Sequence, residues 1–391
     1  MRSSYQRLRR FAAILVGIVF LVSGLLKMID PVGTMLILQE YFRFFHLAFL
    51  MGAARVLGIL LSVFEVFLGM ALITGVLRKL AARCTYVLLG VFTLVTLVLW
   101  IRNPVMDCGC FGEAVHLTHA QSFWKNVILL ALTVFAFTPF HDFGRPKSHR
   151  IVSAALVTLS VVYVVWYSNT HLPIVDFTAF DWGAELFASL DDDVAADNHY
   201  KAAYVYEKNG QEGTFELNAL PDSTWTFVRV DTVFRQTTAV SDEYPILSFR
   251  NAEGEYCDRM AAEGNAVVIS VYDVSYAPWD KVREQYLSVL EAGGTPLVLA
   301  SALPGDAVLP ADLPVYFADF KTLITLNRSN GGGTYFNNGE LVNKWDVRHI
   351  PQQLEADFAA DPVDLSTHYI IRRRLATQGF CVYLAALLLL V

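Results

Sequence analysis

The chain has 391 residues, 54% of them hydrophobic and only 17% charged, with a mean hydropathy of +0.42. Those proportions belong to a membrane protein rather than a soluble enzyme, and a formal net charge of −7 excludes the basic footprint of a nucleic-acid partner. Five cysteines are too few for a disulfide framework and too scattered for a zinc module, while the length leaves room for two or three domains.

The first apolar run, 11–28, follows Arg7, Arg9 and Arg10 and continues without an A-x-A-like site, so a retained span is expected there and not a cleaved signal peptide. Residues 33–49 are aromatic and amphipathic and suit a re-entrant or interfacial helix. Further spans are expected at 53–76, 84–101, 123–140 and 151–167, each near the ~20 apolar residues that a bilayer core requires. Basic residues cluster at 2–10, 78–83 and 145–150, on alternate turns of the chain, which places the N-terminus in the cytoplasm. The loop near residue 108 then lies outside, with residues from about 168 to 370, in a compartment where thiols can be oxidised.

That loop reads MDCGCFGEAVHLTHAQSFWKN over 106–126 and holds Cys108 and Cys110 with one glycine between them. Two thiols so spaced close a small strained ring, and strain makes a disulfide a ready oxidant. A thiolate there is a nucleophile, favoured by Lys125 or by the start of the next helix. Two other readings stay open. Cys108, Cys110, His116 and His119 form a C-x-C-x5-H-x2-H pattern with ligand types that suit zinc or copper. The segment is equally a static turn at a helix entry, and Lys125 and Asn126 are expected to cap and anchor the fourth helix.

Ionisable residues inside apolar runs are functional candidates by default. Glu65 lies mid-span, and Lys27 and Asp30 lie near the outer end of the first helix. Glu65 is read as a partner for Lys27, as a proton acceptor for quinone chemistry, or as a polar lock between helices.

From 168 to 364 the composition is that of a soluble acidic domain. Residues 171–260 alternate like strands, with turns at Lys208-Asn209-Gly210 and Ala252-Glu253-Gly254. Beyond them come a strand at 265–272, a helix at 279–290, a strand at 296–300, a helix at 323–327, and a hairpin turning at Asn337-Asn338-Gly339. This is a thioredoxin-like order. Residues 375–391 suit a sixth span, although Arg372, Arg373 and Arg374 precede it on the outer side. Of the remaining cysteines, Cys84 and Cys381 are expected only to pack, and Cys257 is an unpaired thiol expected to be buried.

The first 170 residues resemble the DoxX-like membrane proteins, and more closely their MauE branch of methylamine utilisation. The resemblance rests on FLVSGLLKMIDPVGT at 20–34, on Glu65 within SVFEVFLGMALITG, on DCGCFG at 107–112 and on FWKN at 123–126. It implies a four-helix bundle of the vitamin K epoxide reductase type that assists disulfide formation or maturation of exported proteins. Enzymes of that type use a C-x-x-C and a second shuttle pair, whereas this sequence offers one C-x-C. The second half resembles a thioredoxin-like domain fused on, as in Bacteroidota inner-membrane proteins, through RSNGGGTYFNNGELVNKW at 328–345. The resemblance aligns Gly331 with the cis-proline and Tyr276-Ala277-Pro278-Trp279 with the redox motif, with no cysteine there.

The fold class expected is therefore a mainly α membrane bundle with four core helices and a fifth, followed by an α/β exported domain. Its divisions are 1–150, 151–170, a β-rich 171–260, a thioredoxin-like 261–365 and a C-terminal helix at 366–391. Its partners are the lipid bilayer of a bacterial inner membrane and an exported client. Two functions compete: a thiol-disulfide oxidoreductase working through Cys108 and Cys110, and a non-catalytic scaffold that binds through an exported surface near Tyr276 and Trp279.

Overall fold

Each apolar run of the first half becomes a helix in the computed structural model, which describes residues 2–104, 106, 108–138, 148–178, 180, 200–208, 211–215, 220–222, 224–234, 247–306 and 308–390. The chain divides into two compact units, Met1–Phe177 with Ala376–Val391, and Thr178–Leu375.

In the first unit, α1 (Arg2–Ile29) ends where Asp30-Pro31 begins α2 (Pro31–Phe44). Proline fits the first helical position, where no backbone donor is needed, and the Asp30 carboxylate caps the helix by accepting from Gly33 N at 2.8 Å. With 14 residues, α2 is too short to cross a bilayer. A 3₁₀ turn, Ala48–Ala53, leads into α3 (Ala54–Thr74), then come α4 (Arg78–Arg102), a short extended segment β1 (Cys110–Glu113), α5 (His119–Phe137) and α6 (Ser148–Thr170).

Among the described residues four stretches are long and apolar enough to cross a membrane: Ser4–Ile29, Ala48–Thr74, Arg78–Arg102 and His119–Phe137. Val87, Val91 and Leu94 on α4, and Ile128 and Val134 on α5, are apolar and exposed, which suits a lipid-facing surface. Ala155–Thr170 of α6, expected as part of a fifth span, is a shorter apolar helix. The side chains of the basic cluster at 145–150 lie outside the described residues.

Small residues let α1 and α3 approach closely. A Cβ on Gly24 would lie 2.6 Å from Ser62 O, and one on Gly17 would lie 2.7 Å from Ile73 Cγ1. At the other end of α1, Arg9 Nε donates to Phe135 O and Ala136 O at 3.1 Å each. Arg10 donates to Leu72 O at 3.1 Å and to Ile73 O. These are the last carbonyls of α5 and α3, which have no partner inside their own helices. The basic run that marks topology in the sequence also ties two helix ends together.

In the second unit, β2 (Tyr200–Lys208), β3 (Gln211–Phe215) and β4 (Thr226–Phe234) form an antiparallel sheet in the order β3-β2-β4. The expected turn residues Asn209 and Gly210 lie outside the described residues, and the pairing reaches Lys208↔Gln211 on either side of them. The turn expected at Ala252-Glu253-Gly254 is present, closed by Gly254 N donating to Asn251 O at 3.1 Å.

A second sheet follows α7 (Arg259–Ala262). Its elements are β5 (Asn265–Val271), α8 (Trp279–Glu291), β6 (Thr295–Ala300), β7 (Val315–Phe317), α9 (Phe320–Leu326), β8 (Gly332–Asn337), β9 (Glu340–Trp345) and α10 (Leu354–Ala359). The strand order is β7-β6-β5-β8-β9, with β5, β6 and β7 parallel and β8 antiparallel to both its neighbours. Alternation along β5 divides the core. Ala266 and Val268 pack with Leu323 and Leu326 of α9 on one face, and Val267, Ile269 and Val271 with Val282 and Val289 of α8 on the other. A strand buried on both faces reads as a continuous apolar run, and NAVVISV does so.

Of residues 375–391, expected as a sixth span, 375–390 fall in α11 (Pro362–Leu390), while 391 and the side chains of 387–390 lie outside the described residues. Within the first unit Tyr383 OH of this helix donates to Ser160 Oγ on α6 at 2.9 Å.

Asn327, 1% exposed, closes α9 onto the hairpin. Its amide donates to Gly333 O at 3.0 Å and Trp345 O at 3.1 Å, while its carbonyl accepts from Ser329 N at 2.9 Å. Asn327→Ala strands buried carbonyls and is expected to cost about 1–3 kcal/mol. The thermal midpoint of the purified chain reads that loss.

Candidate functional site

The close approach at Gly24 brings the last turn of α1 against the middle of α3, and there Lys27 meets Glu65. Lys27 Nζ lies 2.7 Å from Glu65 Oε1 and 2.9 Å from Oε2, with the two residues 5% and 1% exposed. Desolvating two charges costs several kcal/mol per ion, and only close geometry with further hydrogen bonds offsets it. Ser23, one turn before Lys27, supplies such a bond: its Oγ lies 2.8 Å from Glu65 Oε2 and 3.3 Å from Lys27 Nζ. Asp30, grouped with this pair in the sequence, instead caps α2.

Ser23 also reaches the loop. Its Oγ lies 2.7 Å from Cys110 O, so one hydroxyl proton has two acceptors, the carbonyl and the Glu65 carboxylate. From α2, Tyr41 OH donates to Cys108 O at 2.7 Å. Gly109 between them takes φ +57°, and a Cβ there would collide with Ile37 Cγ2. Both carbonyls of the cysteine pair are thus held by hydroxyls, on a turn that admits only glycine at its centre.

The two sulfurs differ. Cys108 is 4% exposed, whereas Cys110 is partly buried, and none of the five cysteines is in a disulfide. Cys108 Sγ lies 3.2 Å from His119 Nδ1, and His119 Nε2 lies 3.0 Å from Pro104 O. A carbonyl can only accept, so Nε2 carries the ring proton in the neutral imidazole and Nδ1 offers a lone pair to the thiol. His119 is fixed as the first residue of α5 by a capping box, in which Thr118 and Gln121 bond each other's backbone N–H. A nucleophile beside a base that a third group orients is the arrangement of thiol catalysis.

The remaining candidates separate. His116 is exposed, and among the described residues no group of three or more His, Cys, Asp or Glu side chains is placed to hold a metal. Of the four ligands of the metal reading, the contacts join Cys108 to His119. Lys125 Nζ sits 4.8 Å over the Phe111 ring, and Asn126, buried, donates to Thr96 Oγ1 on α4 at 3.3 Å. Both lie beyond the first turn of α5, so they brace the helix without capping it. Cys84 packs partly buried against the helical core, and Cys381 is exposed.

In the second unit Tyr276 is 85% exposed, whereas Trp279 packs against the core, so that aromatic pair does not form one surface. Gly331 lies against the turn before α8: a Cβ on it would be 3.1 Å from Val282 Cγ2 and 3.5 Å from Pro278 Cδ. Cys257 is partly buried rather than fully buried as expected. Burial pushes its thiol up from the ordinary value, and the Asp258, Glu255 and Glu253 carboxylates add to the shift.

Residues 6–139 match the family model described as Methylamine utilisation protein MauE. That segment contains α1 from residue 6 and all of α2 to α5, with Lys27, Glu65, the cysteine loop and His119, and its four apolar helices make the chain a multi-pass membrane protein. The resemblance expected over residues 1–170 is found over this shorter stretch. Residues 200–236, which hold β2 to β4, match a domain of unknown function, DUF8463. Over 127 residues the chain is 30% identical to Protein TlpB of Flavobacterium psychrophilum, covering 32% of this chain and 35% of that protein. The chain thus spans about a third of the length of this curated relative. No solved structure matches.

Two outcomes follow from the geometry. Glu65→Ala leaves a buried ammonium without its counter-charge and is expected to destabilise the chain by about 3–5 kcal/mol, while Lys27→Met with Glu65→Leu recovers most of it; thermal unfolding in detergent compares them. Alkylation of Cys257 at neutral pH should run slower than that of an unperturbed thiol of pKa about 8.5, and should accelerate only at higher pH, since the thiolate is the reactive form. A rate equal to that of a small free thiol would contradict the burial.

Proposed function

We propose that this chain is an inner-membrane thiol-disulfide exchange protein whose outward-facing Cys108-Gly109-Cys110 loop reacts with exported proteins. The observation that carries the reading is the 3.2 Å contact between Cys108 Sγ and His119 Nδ1, on a turn whose carbonyls Ser23 and Tyr41 hold. A static turn has no need of a base on its sulfur. The similarity to MauE covers this loop entire, and the basic clusters favour an outward orientation for it.

The second unit is read as a thioredoxin-like domain. Supporting this are the parallel β5-α8-β6 arrangement, the antiparallel β8–β9 hairpin beside β5, and the packing of Gly331 against Pro278. Tyr276 and Trp279 stand where a dithiol would stand, and Cys257 is a poor nucleophile, so this unit recruits the client and leaves the chemistry to the loop. The scaffold reading draws on one observation, the 85% exposure of Tyr276.

Cells carrying Cys108→Ser or Cys110→Ser are expected to yield a mixed disulfide between this chain and an exported protein from one of the two variants. The surviving thiol then has no neighbour to resolve the bond. Non-reducing electrophoresis followed by mass spectrometry identifies the partner. A cytosolic partner reverses the orientation, and no adduct from either variant favours the scaffold.

A further inference from the structure

The loop's two sulfurs are not equivalent, and we infer from this a division of labour that rests on the exchange reading above. Cys110 is the entry thiol that joins the client, Cys108 is the resolving thiol, and His119 is the general base that takes the Cys108 proton. Cys110 is partly buried, whereas Cys108 keeps only 4% of its surface. A client cysteine, carried on its own backbone, meets the accessible sulfur first, and exchange rates depend on which sulfur is reached. The buried sulfur is the one with a base. His119 Nδ1 is 3.2 Å from Cys108 Sγ, and the Pro104 carbonyl, 3.0 Å from Nε2, keeps the ring proton on the far nitrogen. His119 is therefore a catalytic residue, and Pro104 O positions it.

The steps balance with a client disulfide R–S–S–R′ as the oxidant. The Cys110 thiolate attacks one client sulfur; the Cys110–S–S–R bond forms, and R′–S⁻ leaves and takes up the proton that Cys110 gave. Nδ1 then accepts the Cys108 proton, and the Cys108 thiolate attacks the Cys110 sulfur. The Cys108–Cys110 bond forms, the bond to R breaks, and the imidazolium returns its proton to R–S⁻. Two loop thiols have become a disulfide and the client disulfide has become two thiols. Run in reverse, the same atoms oxidise a client dithiol, with the imidazolium protonating Cys108 as it leaves. The Ser23 and Tyr41 hydroxyls bond the Cys110 and Cys108 carbonyl oxygens, and so they keep the turn in place throughout.

The test uses the full chain in detergent with Cys84, Cys257 and Cys381 each changed to Ser, and 5,5′-dithiobis(2-nitrobenzoate) as the probe. The parent should release thionitrobenzoate in two phases, the first as Cys110 forms its adduct and the second as Cys108 displaces it. Cys108→Ser should give the first phase alone and a stable adduct on Cys110. His119→Gln keeps a donor for Pro104 O but no base; the first phase should proceed and the second should slow by about 100-fold or more. Added imidazole should restore the second phase in His119→Ala. A second phase at the parent rate in both His119 variants would remove the base role and leave the exchange reading standing. Loss of the first phase in His119→Gln would also count against a base acting on Cys108 alone. A first phase lost in Cys108→Ser and kept in Cys110→Ser would reverse the two thiols. A parent that never forms the internal disulfide would overturn the exchange reading itself.

Discussion

Everything at the candidate site depends on one buried ion pair. Lys27 and Glu65 lie in a bundle core where neither charge is tolerable alone, so α1 and α3 have a single acceptable register in which Nζ sits between both carboxylate oxygens. Glycines on the contact face make that register reachable, and the arginines near the start of α1 fix its far end by bonding the last carbonyls of α3 and α5. One helix therefore carries a cation at each end with different work to do. The arginines satisfy helix termini, and the lysine neutralises a carboxylate whose hydrogen-bonded serine reaches the cysteine loop.

The loop itself is chemically ambiguous until its neighbours are known. Cysteines and histidines at these spacings suit a soft metal as well as a dithiol, and only the placement of each side chain separates the cases. His119 meets Cys108 and is oriented from behind by a carbonyl, while His116 lies exposed on the other side of the helix start. One thiol with one oriented base is an arrangement for moving a proton.

Much of this was legible in the sequence, and the gaps have physical causes. Apolar runs of bilayer length located the helices, an acid in mid-span pointed to a partner, and the uninterrupted NAVVISV run located the central strand. α5 starts four residues before the apolar run at 123, at the T-x-x-Q capping signature of Thr118 and Gln121, whose polar residues carry no hydrophobic periodicity. β7 has three partly exposed residues, too few for any periodicity. Ser23 could have been found, since it lies one turn from Lys27 on the same helix face. Tyr41 and the separate fates of His116 and His119 could not, because they depend on contacts between residues far apart in the chain. The same holds for Trp279, which is partly buried against the core, and Tyr276, which is exposed, although both are aromatic and three positions apart.

The way the cysteine turn is gripped bears on the exchange proposed for it. Both anchoring hydroxyls hold peptide oxygens, whose basicity hardly changes whether the neighbouring sulfurs are thiols or bonded to each other, and the Gly109 position wedged against Ile37 has no slack for another side chain. On the exchange reading proposed above, the sulfurs react on a turn whose anchoring carbonyl contacts need not break. On that reading the arrival and departure of the client, and not a refolding of the loop that carries the sulfurs, would set the pace of turnover.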